Sequence, residues 1–413
     1  MAATAALLAT VLLHCGLASK QLHVKYQWTT PEFLFTNESM KQSMIDSGRY
    51  IPGNPFMLDV DSWQRGSTRE VFVTTPRFLP GTPATLSLLS RAHASASPLL
   101  QPFPSWAMNR QGDCDAMTSV LRVQVDTCGR LWAIDSGVVD LMTAPQSLCA
   151  PQVLVFDLRT SRLLHRYRIP PENLREGSLL INIAVELPHR GSCRGAVAYL
   201  ADVTQHGLVV YDVSQSRSWR VSSSFFQPSP PATHFTVAGE SFTLQDGLFG
   251  LALGPVVRGD RTLYFHSLAS YREVWVRTSL LRNQSLFAAN TSAAAGLFTQ
   301  SPGERSSQTA ATAMSRRGVL FFSPLANTSL NCWNSRLPYT SSNLVQLVRD
   351  DEALQFVSGM KIVRDRSGRE VLWALSCRFQ RLMTGSFDPA EVNFRVLTAP
   401  VADLVRGTSC DGA

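Results

Sequence analysis

The stretch LRVQVDTCGRLWAID (121–135) holds the pattern that decides the fold. Residues 121–125 alternate apolar and polar, a turn with Asp126 and Gly129 follows, and bulky apolar residues restart at Leu131 and end on Asp135. Period-two alternation marks a strand with one buried face, and Asp and Gly suit a tight turn, so the segment reads as a β-hairpin. The layout returns in INIAVELPHRGSCRGAVAYLAD (181–202), GLALGPVVRGDRTLYFHS (250–267), TAATAMSRRGVLFFS (309–323) and MKIVRDRSGREVLWALS (360–376). A weaker copy, REVFVTT (69–75), keeps the second strand alone. Second strands start near Val71, Leu131, Ala198, Leu263, Val319 and Leu372, a period of roughly 50–65 residues, as expected of propeller blades.

The copies continue into further strand-like runs, such as PQVLVFDL (151–158), LVVYDV (208–213) and EVWVRTS (273–279). Three to four antiparallel strands repeated six times predict an all-β fold, a six-bladed β-propeller in which radial repetition protects the sheet edges. Two packed β-sandwiches would not explain six similar hairpins at near-regular spacing. One column stands out: Thr75, Asp135, Asp202, Ser267, Ser323 and Ser376 each end a second strand with a short side-chain oxygen. Such residues commonly tie backbone groups where a strand turns.

Outward from the repeat, the 413 residues are 45% hydrophobic and 17% charged, with a net charge of +7. Only Lys20, Lys25, Lys41 and Lys361 are lysines, and the arginines are scattered, so no basic stripe for nucleic acid is present. Residues 2–18 are small and apolar, with Gly16 and Ala18 placed like a signal-peptidase site. They predict a secretory signal (1–18) ahead of one mature domain (19–413), with no membrane span, in an extracellular setting. Sequons at Asn37, Asn283, Asn290 and Asn327 agree with export and glycosylation. Beyond Cys15 stand Cys114, Cys128, Cys149, Cys193, Cys332, Cys377 and Cys410, without C-x-x-C or zinc-finger spacing. Connectivity does not follow from spacing; the working assignment pairs the first four among themselves, joins Cys332 to Cys410 and leaves Cys377 free. No metal and no cofactor is expected.

The runs TPRFLPGTPATL (75–86), VDTCGRLWAIDSG (125–137), VLVFDLRTSRLLHRYRIP (153–170), DGLFGLALGP (246–255), LYFHSLAS (263–270), GVLFFS (318–323), CWN (332–334) and LPYT (337–340) resemble, in this order, the Yellow/major royal jelly protein family. The resemblance implies a six-bladed propeller. It also implies a secreted protein acting on catechol-derived indoles in melanin or cuticle pigmentation, possible dopachrome conversion included, or a binder of biogenic amines and other small aromatic metabolites. A structural or nutritive role needs no site. Carried over from the amine-binding members, Phe321 becomes an aromatic wall, and Ser323 and Asn334 become polar anchors. Arg336 replaces a further aromatic residue there; its cation disfavours a protonated amine and favours a carboxylate.

Tautomerising dopachrome removes a proton from carbon and returns one to oxygen, so it needs a base poised near the working pH and a donor for the developing phenolate. Asp246 in LQDGLFG and His266 in LYFHSL are the sequence candidates, flanking strands of one repeat. Each also has an ordinary reading, Asp246 as a turn residue before Gly247 and His266 as a strand cap. No G-x-S-x-G, H-E-x-x-H or Walker loop occurs. Arg258-Gly259-Asp260 falls in a hairpin turn, where Gly-Asp is expected anyway. Segments 90–104, 227–233 and 283–312, rich in Ser, Ala, Pro and Thr, read as loops on the blade connections that partly cover a channel mouth.

Overall fold

A computed structural model describes residues 21–91, 95–187, 192–288 and 296–413. Six four-stranded antiparallel sheets are present. From the axis outward, blade 1 is Asp59–Arg65, Thr68–Thr74, Leu86–Leu89 and Leu100–Pro102; blade 2 is Val120–Val125, Arg130–Asp135, Gln152–Asp157 and Leu163–Arg168. Blade 3 is Leu180–Glu186, Val197–Asp202, Gly207–Asp212 and Arg217–Ser222; blade 4 is Leu248–Leu253, Thr262–Ser267, Val274–Arg277 and Thr299–Gln300. Blade 5 is Thr309–Met314, Val319–Pro324, Ser329–Asn334 and Leu344–Arg349. Blade 6 takes Phe356–Arg364, Glu370–Cys377 and Phe394–Pro400 from the end of the chain and His23–Trp28 from its start. Consecutive inner strands touch all the way round, that of blade 6 against that of blade 1, so the ring is closed. All six second strands lie where the repeat places them.

The sequence reading under-drew blade 1. Its inner strand carries Asp59 and Asp61, and that breaks the apolar alternation, yet both are buried. They act as acceptors between blades: Asp59 takes the Val123 N–H at 3.0 Å and Asp61 the Val125 N–H at 2.7 Å, both on blade 2. The same device continues round the ring. Gln124 accepts from Val185 N–H on blade 3, Asn182 donates to the Phe249 carbonyl on blade 4, and Lys361 of blade 6 reaches both carboxylate oxygens of Asp59 at 2.9 Å. These polar side chains tie inner strands together where apolar packing alone would leave backbone groups unpaired.

Segment 90–104 is also more than a loop, since it supplies the outer strand Leu100–Pro102. Three disulfides form, Cys114–Cys149, Cys128–Cys193 and Cys332–Cys410, and Cys377 is free and buried, as the working assignment has it. Among the described residues no helix is long and apolar enough to cross a membrane. The expected signal, residues 1–18, and the sequon at Asn290 lie outside the described residues.

Candidate functional site

Antiparallel blades give the ring two unlike ends. Lead-ins to the inner strands and the connections between second and third strands share one end, called here the upper face; the hairpins joining first to second strands share the other. The oxygen column sits at the upper face, and five of its six members bond backbone groups there. Asp135 accepts from the backbone N–H groups of Thr118 and Ser119 at 2.9 and 2.7 Å, and Asp202 accepts from Leu179 N–H, each pinning the start of an inner strand. Thr75 donates to Ala84 and Ser323 to Ser329 carbonyls. This column holds the frame.

A hairpin inserted between blades 3 and 4, His234–Val237 and Glu240–Thr243, extends over this face. Its turn residues Ala238 and Gly239 both have positive φ, 48° and 85°, the backbone of a two-residue turn matched to strand twist. Gln308 anchors its base by donating to the Ala232 and His234 carbonyls. At its tip Glu240 accepts from Ser386 Oγ at 2.6 Å, and Phe242 meets Phe379 of the helix Phe379–Thr384, an insertion of blade 6. Phe379 also touches Phe56, Phe78 and Phe356, which come from blades 1 and 6. The upper mouth is thus covered by an aromatic lid.

Asp246 leads into the inner strand of blade 4 at this same face. Its carbonyl accepts from Ala269 N–H, while no hydrogen bond to its carboxylate is found among the described residues. The carboxylate keeps some solvent contact, yet surrounding protein desolvates it and pushes its pKa up to about 7. A carboxyl group with that pKa exchanges protons near neutrality. Beside it, a Cβ on Gly247 would stand 2.3 Å from His206 Cδ2, so the glycine is what lets the imidazole pack there. His206 itself has φ +49° and lines a groove of about 360 Å³ with Arg175, Thr204, Gln205 and Ser222.

His266 is fully buried, turned into the seam between blades 4 and 5. Its Nδ1 is 3.0 Å from Glu273 Oε2, which also receives Arg305 Nη1 at 2.7 Å. A Cβ on Gly250 would lie 2.2 Å from the ring, so the ring rests against the backbone of the inner strand. His266 and Asp246 therefore belong to one blade and one end of it, but no hydrogen bond joins them.

The four residues carried over from amine-binding proteins are not gathered. Val319 pairs with Asn334, and Ser323 stands four residues further along its strand, about 13 Å away at the rise of a strand. Ser323 is at the upper face and Asn334 at the lower one. Phe321 is buried between them, opposite Cys332. Asn334 donates to the Ser409 carbonyl, and the exposed Arg336 to that of Gly412, so both clasp the C-terminal segment. Asp260 of the Arg-Gly-Asp turn is likewise spent, on Ser279 and the Arg261 N–H.

Sequence reasoning missed the lid and one further residue, Arg122, whose guanidinium lies 5.1 Å from the Phe249 ring centroid on blade 4. An arginine in the alternating run 121–125 was the available signal.

A family model described as major royal jelly protein matches residues 118–410. Dopaminechrome tautomerase of Drosophila melanogaster is 33% identical over 402 residues, 95% of this chain and 85% of that protein. Protein yellow of Drosophila madeirensis is 34% identical over 410 residues, 98% of this chain and 70% of that one. Among solved structures, a streptogramin B lyase is alike at TM-score 0.43 and 10% identity, over 84% of this chain and 94% of that chain.

Proposed function

This chain belongs to the Yellow/major royal jelly protein family, and on that premise we propose that it isomerises an aminochrome, a bicyclic indoline quinone, to the dihydroxyindole used in pigment formation. The reaction moves two protons, one from each saturated ring carbon, to the two quinone oxygens and needs no outside oxidant or reductant. Asp246 is the base. The observation that carries this reading is its carboxylate beneath the lid, free of hydrogen bonds and with a pKa near 7, the poise a general base needs at neutral pH. His266 is a positioning residue: Glu273 fixes its ring against Gly250, four residues beyond Asp246 on the same blade. The protein around Asp246 removes much of its water, which strengthens electrostatic contacts there.

The three disulfides support an extracellular setting. Asn37 and Asn283 are exposed and Asn327 is half-buried; we read these as glycan acceptors, and a glycosidase-dependent mass shift of secreted protein tests it.

The decisive assay follows the decay of dopaminechrome and L-dopachrome with purified protein across pH. Acceleration that rises through pH ~7 and disappears in Asp246→Asn is expected. Decay at the buffer rate with both substrates overturns the isomerase; saturable heat on titrating dopamine or serotonin in that event indicates a carrier.

A further inference from the structure

We propose that Arg122 is the electrophilic partner of this site, its free Nη2 receiving the quinone oxygen of a planar aromatic ring laid along the axis. This rests on the isomerase reading and names the group that completes it.

Arg122 leaves the inner strand of blade 2 and is only 2% exposed. It extends across the axis and not into its own blade. Its guanidinium faces Phe249 on blade 4, and Nη1 makes a long 3.5 Å contact with the Leu58 carbonyl at the head of blade 1. Nη2 is buried and has no partner among the described residues. Leaving a guanidinium N–H unpaired away from water is costly, so such a group marks a place where an acceptor is missing.

Neighbouring acids do not fill the role. Asp59 is held by Lys361 through both oxygens and by Val123 N–H. Asp61 accepts from Val125 and Ser62 N–H. Cys377, the free thiol at the head of blade 6, is pushed up to about 12 chiefly by burial, so it stays a neutral thiol. Burial also lowers the Arg122 pKa, with Asp59 the largest opposing influence. An arginine keeps its proton at any physiological pH, and one N–H of this guanidinium, on Nη2, has no partner among the described residues.

The ligand class follows from what the group lacks, an acceptor oxygen, and from the aromatic ring beside it. Phe249 retains slight exposure and offers an aromatic face, while Gln124 and Asn182 on the neighbouring inner strands stay half-buried. A flat ring carrying a carbonyl or phenolate oxygen matches both features. Two proton transfers make the dihydroxyindole, the first giving a quinone methide; in each, Asp246 takes a proton from a saturated ring carbon, and the C–H electron pair moves into the ring. The quinone C=O pair then settles on oxygen, where Arg122 meets the growing charge before that oxygen is protonated. A preorganised donor in a dry site contributes most at this step.

The test pairs turnover with a spectroscopic probe. With Arg122→Met, kcat for dopaminechrome and L-dopachrome should fall together by about 10²–10³-fold, as for loss of one oxyanion donor, with KM changing less. A loss confined to L-dopachrome means that Arg122 reads the carboxylate, and the proposal fails. Independently, 4-nitrocatechol bound to the unaltered protein should ionise at a pH at least about one unit below its free value, a shift absent in Arg122→Met and partly kept in Arg122→Lys. A merely structural arginine would not move that titration. Should Arg122→Met not fold, the Lys variant against the unaltered protein carries the comparison. If neither aminochrome turns over but the nitrocatechol shift depends on Arg122, the anchor stands and the isomerase falls. Equal nitrocatechol titrations in all folded forms overturn the anchor.

Discussion

At the lower face the chain turns tightly and repeatedly. Asp126 accepts from the N–H groups of Cys128 and Arg130 and pairs with the Arg130 side chain; Asp365 does the same with Ser367, Arg369 and the Arg369 side chain. Gly129 and Gly368, at φ 74° and 81°, close those turns. The remaining length there goes into clasping the C-terminal segment, through Cys332–Cys410, Asn334, Arg336 and the Arg317 bond to the Ala413 carbonyl. The upper face spends its length otherwise, on a hairpin, two helices (Glu38–Asp46 and Phe379–Thr384) and an aromatic roof. The same end holds the desolvated carboxyl of Asp246, before the blade 4 inner strand, and Arg122, with one N–H unpaired among the described residues. The lower-face turns named here pair their carboxylates, whereas the Asp246 carboxyl has no hydrogen bond and one Arg122 N–H has no partner among the described residues. On the proposed function, that contrast puts structure at one end and chemistry at the other.

The largest effect expected from this contrast is on turnover. Asp246→Asn removes the base and should lower kcat by about 10²–10⁴-fold with the fold intact, as read by near-ultraviolet circular dichroism. Next is the lower clasp. Replacing Cys332 and Cys410 by Ser opens a link across 78 residues and should lower unfolding free energy by ~4 kcal/mol in denaturant titration without touching kcat. A kcat loss matching that of Asp246→Asn would erase the distinction between the ends. Gly250→Ala sharpens it from above: its Cβ would strike the His266 ring at 2.2 Å. Overpacking of this kind costs roughly 1–3 kcal/mol, and kcat should fall alongside because the strand carrying Asp246 must shift.

The lower face was the more legible in sequence, and the reason is physical. Turns of the Asp-x-x-Gly kind are local: the acceptor, the N–H groups and the positive φ lie within four residues, so they repeat visibly in VDTCG and RDRSG. The six second strands were legible because each is a short apolar run ending on a side-chain oxygen, a pattern that is also local. Blade 1's inner strand was hidden, since Asp59 and Asp61 act through blade 2 and Lys361, far off in sequence. The lid was hidden for the same reason, although HFTVAGESFT (234–243) has the alternation and two-residue turn of a hairpin. Asp246 was singled out by chemistry and position, whereas nothing local in LRVQV (121–125) tells that Arg122 reaches Phe249 of blade 4. Motif transfer failed to gather a site at Ser323 and Arg336, because adjacency in a motif list does not say which end of a blade a residue occupies.

A smaller effect should appear in stability against pH. The folded state raises Asp246 from the ordinary 3.8 to about 7, and burial raises Asp61 to about 7 as well. Protonated forms are favoured in the fold, so stability falls as pH climbs from about 4 toward 7 and the penalty is complete above it. Asp246→Asn removes one such group. Its melting temperature relative to the unaltered protein should therefore rise between pH 5 and pH 8, and a rise in the opposite direction would mean that the carboxylate is better solvated than the roof implies.

The smallest expected change is the most discriminating for the two ends. Arg336 is exposed and makes one 3.3 Å bond to the Gly412 carbonyl, a contact worth at most about 1 kcal/mol. Asn334 is more buried but bonds only its own turn and the Ser409 carbonyl. Arg336→Ala should leave kcat, KM for L-dopachrome and the 4-nitrocatechol titration unchanged, and should loosen only the C-terminal segment in hydrogen exchange. If it instead raised KM for L-dopachrome and not for dopaminechrome, the carboxylate would be read at the lower face. The substrate would then have to lie against the clasp, too far from Asp246 for one proton transfer, and the assignment of chemistry to the roofed end would have to be reversed.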